Sequence, residues 1–325
     1  MGKKNSLKSA LSSHQSRLQK KQHAAHAAQA AQQKDKITGQ SSKRKSTHPA
    51  PIATATVPFK PTHKILLIGE GNFSFAHALV FDPPPTLQYL PAASVTATAY
   101  DTEEECYTKY SSAKEVVRNL REKGAEIIFG VDATKLEKHA VLKSRKFDRI
   151  VWNFPHAGKG ITDQDRNILS NQMLLLGFLR SAAHILSAGP APVIHTQRKR
   201  KKTEDDDAPE VSEGEGEDLE SAQTRGTVLI TLRNVPPYTL WDLPKLAKNP
   251  PPTKDVQPSP RYTQLRSFIF HRSLWKGYEH RMTKGERAHG SGKTGVGGED
   301  RMWEFCLRDS SYFSREEDGL ERRFK

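Results

Sequence analysis

Residues 64–69 read Lys-Ile-Leu-Leu-Ile-Gly, four large aliphatic side chains in a row stopped by a glycine. A run this short and this uniformly apolar is a strand buried on both faces, and such strands occur in sheets covered by helices on either side. The pattern recurs along the chain. Residues 94–100 (SVTATAY) form a β-branched run ending at Asp101, residues 125–130 (AEIIFG) a third strand, and residues 147–154 (FDRIVWNF) a fourth. Residues 226–232 (GTVLITL), 262–270 and 301–307 supply three more. Between them, residues 102–123 are polar with apolar positions at Tyr107, Tyr110, Val116, Val117 and Leu120, which predicts one helix capped by Gly124. Thr162 and Asp163 open a long helix to about Leu186, with Leu169, Met173, Leu176 and Leu179 on one face. This alternation predicts an α/β, doubly wound, mostly parallel sheet. The closing strands, with no long helix between them, predict a β-rich C-terminal end.

The rest of the chain is set apart by its charge. The net charge is +14, and residues 1–59 hold 11 Lys+Arg against one acid, Asp35, so this stretch carries +10 of it. With almost no large apolar residues it cannot offset the entropy of ordering, so residues 1–61 are expected to be a disordered basic tail. The tail suits either a solubilising segment with a nuclear address at Lys43-Arg44-Lys45 or an arm that contacts RNA. Within residues 197–225, five consecutive cations, residues 198–202, are followed by ten acids between Glu204 and Glu220. This predicts a disordered charged insertion, whose Arg198, Lys199 and Arg200 suit a nuclear address or an RNA contact. The ordered domain is then expected over 62–309, with 310–325 as a C-terminal tail. Two cysteines 200 residues apart, Cys106 and Cys306, exclude a disulfide scaffold and a cysteine-based zinc cluster. No apolar run approaches the ~20 residues of a membrane helix. Met1 to Ser6 fits a loose acylation pattern with only three of six positions constrained, a weak signal.

In an open parallel sheet, ligands bind beyond the carboxyl ends of the strands. After the first strand comes Gly69-Glu70-Gly71-Asn72-Phe73-Ser74, a turn whose glycines let the backbone approach a ligand at a helix N-terminus. After the second comes Asp101, placed to accept the hydroxyls of a ribose or to cap a helix. After the third come Asp132 and Ala133, where a carboxylate suits an adenine amine or, again, a cap. After the fourth come Asn153, Phe154, Pro155 and His156, a polar amide, two rings and a rigid proline where a substrate would meet a cofactor. Pro155 is expected to keep this backbone extended.

The turn GEGNFSF, Asp101, Asp132 and the NFPH segment, in this order after these strands, resemble class I S-adenosylmethionine-dependent methyltransferases. More closely, GEGNFSF, DRIVWNFPHAG and the late WKGYEHRMT are similar to the fungal 25S ribosomal RNA uridine-N3 methyltransferase family. The first turn departs from the general class I pattern by lacking a third glycine, and His156 stands where amino-group methylating enzymes have an aromatic residue. The resemblance implies S-adenosylmethionine as cofactor, ribosomal RNA or a pre-ribosomal particle as partner, and a nuclear, nucleolar location. It places cofactor binding on residues 69–74, Asp101, Asp132 and Ala133. Asn153, Pro155 and His156 become the catalytic candidates, with Phe154 and the 198–200 cations on the RNA. His156 is a candidate base because imidazole titrates near neutrality. Two other classes keep the same sheet: a dinucleotide enzyme, and a non-catalytic RNA-binding assembly factor with a degenerate cofactor pocket.

Overall fold

The computed structural model describes residues 55–192, 224–252, 259–281 and 299–308, together with Ser12 and residues 15–17 of an N-terminal helix. Arg198, Lys199, Arg200 and His195 lie outside the described residues, as do most of the expected basic tail, the acidic insertion and the C-terminal tail. No helix among the described residues is long and apolar enough to cross a membrane.

Seven strands form one sheet in the order β3-β2-β1-β4-β5-β7-β6. They are β1 (Ile65–Ile68), β2 (Val95–Thr98), β3 (Glu126–Ile128), β4 (Arg149–Asn153), β5 (Thr227–Arg233), β6 (Tyr262–Ile269) and β7 (Asp300–Leu307). The first five are parallel to their neighbours, and β7 runs antiparallel between β5 and β6. This is the expected doubly wound, Rossmann-like sheet with its β-rich end.

Alternation along each strand divides the core into two layers. Leu66, Ile68, Ile150, Trp152, Val228 and Ile230 face α4 (Gln164–Ala183) and α5 (Leu243–Lys248). Ile65, Leu67, Val151 and Leu229 face the other way, onto α1 (Ser74–Phe81), α2 (Glu103–Lys109) and α3 (Ala113–Glu122). α4 starts where Asp163 caps it, accepting from the Arg166 N–H at 2.8 Å. Phe59 is buried against Trp275, ring centroids 5.8 Å apart, so the packed domain starts before residue 62 and the expected tail is shorter than 1–61. Gln15 is also buried and donates to Asp165 Oδ1 at 2.8 Å, which seats one point of the N-terminal segment on the first turn of α4.

The single helix expected over 102–123 is two. Thr102 and Glu105 close a capping box at the start of α2, but at Tyr110 the backbone turns extended, φ −130° and ψ 104°. The break drives the Tyr110 ring into the core beneath Gly71, where a Cβ would stand 3.2 Å from it. Periodicity alone misses such a break, because Tyr110 sits on the apolar stripe whether the helix continues or stops. β4 also ends one residue early, at Asn153, with consequences described below.

At the amino end of the sheet a charge network around the buried Glu304 joins four strands. Glu304 accepts from Thr227 Oγ1 at 2.9 Å and Arg266 Nε at 2.6 Å, with Arg149 Nε 3.7 Å away. The chain re-enters the sheet at Gly226, whose N–H donates to the Ser187 carbonyl at 2.8 Å. A Cβ on Gly226 would lie 2.5 Å from the Phe147 carbonyl oxygen and 2.9 Å from the Ser187 nitrogen, both backbone atoms of the core. Gly226→Ala is therefore expected to cost about 1–3 kcal/mol of stability, the usual penalty of overpacking. A melting temperature equal to that of the wild type would show that this junction is slack.

Candidate active site at the carboxyl edge of the sheet

Strand order reverses between β1 and β4, because β1 is flanked by β2 on one side and β4 on the other. The loops leaving β1 and β4 diverge to opposite faces and open a crevice, the usual ligand position in this architecture. The Gly69–Ser74 turn forms one lip and the Asn153–His156 segment the other.

The first lip is shaped by close approach. Gly69 has φ +65°, and a Cβ there would stand 2.8 Å from Trp152 Nε1 on β4. The Glu70 N–H donates to the Thr98 carbonyl at 2.8 Å and ties the turn to β2. Asn72 Oδ1 accepts from the Ser74 N–H at 3.3 Å, and Phe73 precedes α1 in the left-handed region, φ 59°. The Phe73 ring is buried edge-on to Phe129, centroids 5.4 Å apart. Glu70 Oε2 accepts from the Ala76 N–H at 3.3 Å in the first turn of α1. Burial nevertheless pushes this carboxyl up to about 7, with the Ala76 and Phe75 amides acting against the rise. Ser74 is committed elsewhere: its hydroxyl donates to the Glu279 carbonyl and accepts from the Glu279 N–H, both at 3.0 Å. It thus fastens the turn to residues 271–281.

Asp101 and Asp132 differ in what they leave open. Asp101 Oδ1 pairs with Lys109 Nζ of α2 at 2.6 Å, a partner that the strand pattern does not reveal. Its second oxygen has no hydrogen-bond partner among the described residues. Asp132 uses both oxygens locally: Oδ1 accepts from the Thr134 N–H and hydroxyl at 2.9 and 2.7 Å, and Oδ2 pairs with Lys135 at 3.0 Å. Burial opposes ionisation of Asp132, but the bonds from Thr134 and Lys135 outweigh it and hold the carboxyl below its ordinary value. Asp132 is therefore a turn cap, and Ala133 beside it is buried.

On the second lip, Asn153 Oδ1 accepts from the Thr231 hydroxyl of β5 at 2.8 Å, which fixes the amide plane. Its Nδ2 is buried with no hydrogen-bond partner among the described residues. A buried amide donor left unmade costs roughly 1–3 kcal/mol, a cost that an acceptor entering the crevice would offset. Phe154 lies in the left-handed region, φ 53°, so the backbone before Pro155 is not extended as expected. The Phe154 N–H is anchored to the Thr231 carbonyl at 2.9 Å. Its ring is not an open stacking platform either: His280 lies 4.4 Å from it, the Arg272 guanidinium 4.8 Å and Phe270 6.2 Å. Pro155 is buried and His156 exposed. His156 Nδ1 accepts from the Gly158 N–H at 2.9 Å, and its ring stands 6.1 Å from Trp241.

A third wall comes from residues 270–281, to which sequence patterning assigns no role. Trp275 and Tyr278 pack edge-on to Phe75 of α1 at 5.0 and 5.4 Å. His280, beside Phe154, is pushed down to about 4 by burial and by the nearby charges of Arg272 and Arg233, so it is neutral at pH 7. The signal that was available is the composition WKGYEHR itself, two large rings and two cations in seven residues after a strand. Each lip carries one phenylalanine in the left-handed region, Phe73 and Phe154, a conformation that costs about 1–3 kcal/mol at each.

The donor set suits an adenosyl amino acid: a glycine turn open to backbone contact, an acid for a ribose, and a carboxyl at Glu70 for an ammonium. Residues 66–282 match the family model of BMT5-like proteins, described as rRNA (uridine-N3-)-methyltransferases. The chain is 26% identical over 253 residues to the 25S rRNA (uridine(2634)-N(3))-methyltransferase of Saccharomyces cerevisiae, covering 71% of this chain and 69% of that protein. It is 35% identical over 144 residues to heavy metal-associated isoprenylated plant protein 41 of Arabidopsis thaliana, covering 44% of this chain and 26% of that one. It is 37% identical over 124 residues to ferredoxin-fold anticodon-binding domain-containing protein 1 of Homo sapiens, covering 38% and 18%. The chain thus spans about a quarter of the plant protein's length and about a fifth of the human one's.

The raised value at Glu70 has a testable sign. Its folded-state value of about 7 lies above the ordinary 4.5, so the folded protein holds this proton more tightly than the unfolded chain. The stability it contributes is full below pH 4.5 and is lost as pH rises through about 7. Glu70→Gln, neutral throughout, is expected to melt above the wild type at pH 8 and to lose that advantage near pH 5. Parallel melting-temperature curves across this range would show that the carboxylate is solvated.

Proposed function

Because the chain belongs to the BMT5-like rRNA (uridine-N3-)-methyltransferase family, we propose that it methylates N3 of a uridine in large-subunit ribosomal RNA. The methyl donor in this reading is S-adenosylmethionine, whose sulfonium supplies an electrophilic methyl group. The observation that carries the reading is the orphaned donor of Asn153. Uracil presents a carbonyl, the N3–H and a second carbonyl along one edge, so Nδ2 of Asn153 donates to a carbonyl that flanks N3. Thr231 holds the amide so that only this donor is presented.

The remaining residues take the following roles. The backbone of residues 69–72 cradles the amino-acid end of the donor, with Glu70 facing its ammonium. Asp101 accepts the ribose hydroxyls through its second oxygen while Lys109 fixes the first. Asp132 and Ala133 border the adenine. Pro155 holds the lip rigid, His156 stacks on RNA from its exposed position, and Phe154 shapes the pocket from below. Arg198, Lys199 and Arg200 contact the phosphate backbone, and the +10 of residues 1–59 adds to that affinity. N3 lies on the pairing edge, so the target uridine enters unpaired or flipped. A ribosomal RNA substrate places the enzyme in the nucleus, at the nucleolus.

The test is methylation of large-subunit ribosomal RNA lacking the modification, with the product nucleoside identified by mass spectrometry. N3-methyluridine is expected from the wild type. Asn153→Ala should slow single-turnover transfer about 10²-fold, the usual loss when one preorganised donor is removed. Donor affinity by calorimetry should stay within about twofold of wild type. RNA binding without any N3-methyluridine would leave a non-catalytic assembly factor, and an Asn153→Ala protein at the wild-type rate would remove this lip from the active site.

A further inference from the structure

The N3–H of uracil is a weak acid, and its nitrogen has no lone pair available for attack until the proton leaves. Beside Phe154, His280 is neutral at pH 7 and resists a proton, with the Arg272 and Arg233 cations near it. Cations have another use at such a place. They stabilise the anion that forms when N3 loses its proton, whose charge is shared by the two flanking carbonyl oxygens.

The strand geometry brings one guanidinium to that spot. Alternate residues of a strand share a face, so Arg233 projects on the same face of β5 as Thr231. Thr231 holds the Asn153 amide at 2.8 Å and the Phe154 N–H at 2.9 Å. Arg233 is two residues further toward the carboxyl edge, opposite Asp300 of β7. Asp300 pairs with Arg272 at 2.7 Å, and Arg272 lies over the Phe154 ring at 4.8 Å. The charged and titratable groups on the elements around this spot include Arg233, Arg272, Asp300 and His280, with Glu70 and Tyr278 behind them on the cofactor side, and the ion pairs Glu279–Arg281 and Glu299–Arg301 on the flanking 270–281 wall and the start of β7.

We propose that Arg233 is a catalytic residue of the methyl transfer, its guanidinium binding a uracil carbonyl oxygen and stabilising the N3 anion. The inference rests on the uridine-methylation reading above. In the step, the N3–H bond breaks and its proton leaves to water. The freed N3 pair forms the bond to the methyl carbon of the sulfonium donor, and the pair of the breaking C–S bond stays on sulfur. The positive sulfonium and the negative base become a neutral thioether and a neutral N3-methyluracil. Electrostatic stabilisation of this kind replaces a general base.

The experiment compares full-length wild type, Arg233→Gln and Arg233→Lys in single-turnover methylation at saturating RNA from pH 6 to 9. Each is given RNA with uridine or with 5-fluorouridine at the target, whose N3–H is more acidic. Arg233→Gln should lose about 10²-fold at pH 7 on uridine, with the loss shrinking as pH rises and largely recovered on 5-fluorouridine. Arg233→Lys should lie between the two. Donor affinity by calorimetry should be unchanged, which also shows that the variants fold. A loss in RNA affinity with an unchanged saturated rate would make Arg233 a phosphate contact and overturn the proposal. A loss equal on both bases and at every pH would overturn it as well. A wild type that methylates neither RNA would overturn the functional reading first, a result visible without any variant.

Discussion

The carboxyl edge of the sheet is registered by one close approach, that of the Trp152 indole to Gly69. Trp152 projects from β4 against Phe178 of α4, ring centroids 4.7 Å apart, and its Nε1 occupies the space a Cβ at residue 69 would need. The side chain missing at Gly69 is thus replaced by a ring from the neighbouring strand. This contact sets how far the first lip stands from the second. The hydrogen bond from Glu70 to Thr98 then fixes the turn against β2, so three adjacent strands share one alignment. A crevice built this way does not depend on loop packing for its width.

Rigidity at the lips comes from residues distant in sequence. Ser74 is locked by Glu279, and Phe154 by Thr231, Arg272 and His280. Both left-handed phenylalanines are held from outside their own loops, as strained backbone requires. The antiparallel end of the sheet exists in part to deliver these restraints, since Phe270 and Arg272 leave β6 directly onto the second lip.

How far the sequence announced this arrangement differs from part to part. The parallel strands were legible because Ile65–Ile68 and the Ile150–Trp152 centre of β4 are buried on both faces and therefore apolar. The placing of the Gly turn, Asp101 and Asn153 at the carboxyl ends of β1, β2 and β4 followed from the strand boundaries. What the pattern did not carry was the state of each group. Asp101 and Asp132 look alike in sequence, yet one pairs a single oxygen with Lys109 and the other spends both on Thr134 and Lys135. Phe154 looked like an open platform and is a half-buried ring packed by His280, Arg272 and Phe270. The break at Tyr110, the Ser74 latch and the placing of Arg233 and His280 all depend on contacts between residues far apart in the chain, which no local periodicity encodes.

The junction at Gly226 has a further meaning. Arg225 donates its N–H to the Pro190 carbonyl and Gly226 to that of Ser187, both at 2.8 Å, and Ser187 bonds back to Phe147. The two ends of the charged excursion are therefore clasped to each other at the amino end of β5, remote from the lips. Once the clasp is made, doubling the intervening chain costs only about 0.6 kcal/mol of closure entropy. That makes this point an insertion port: a site where the intervening segment can change in length while the register of the sheet stays as it was.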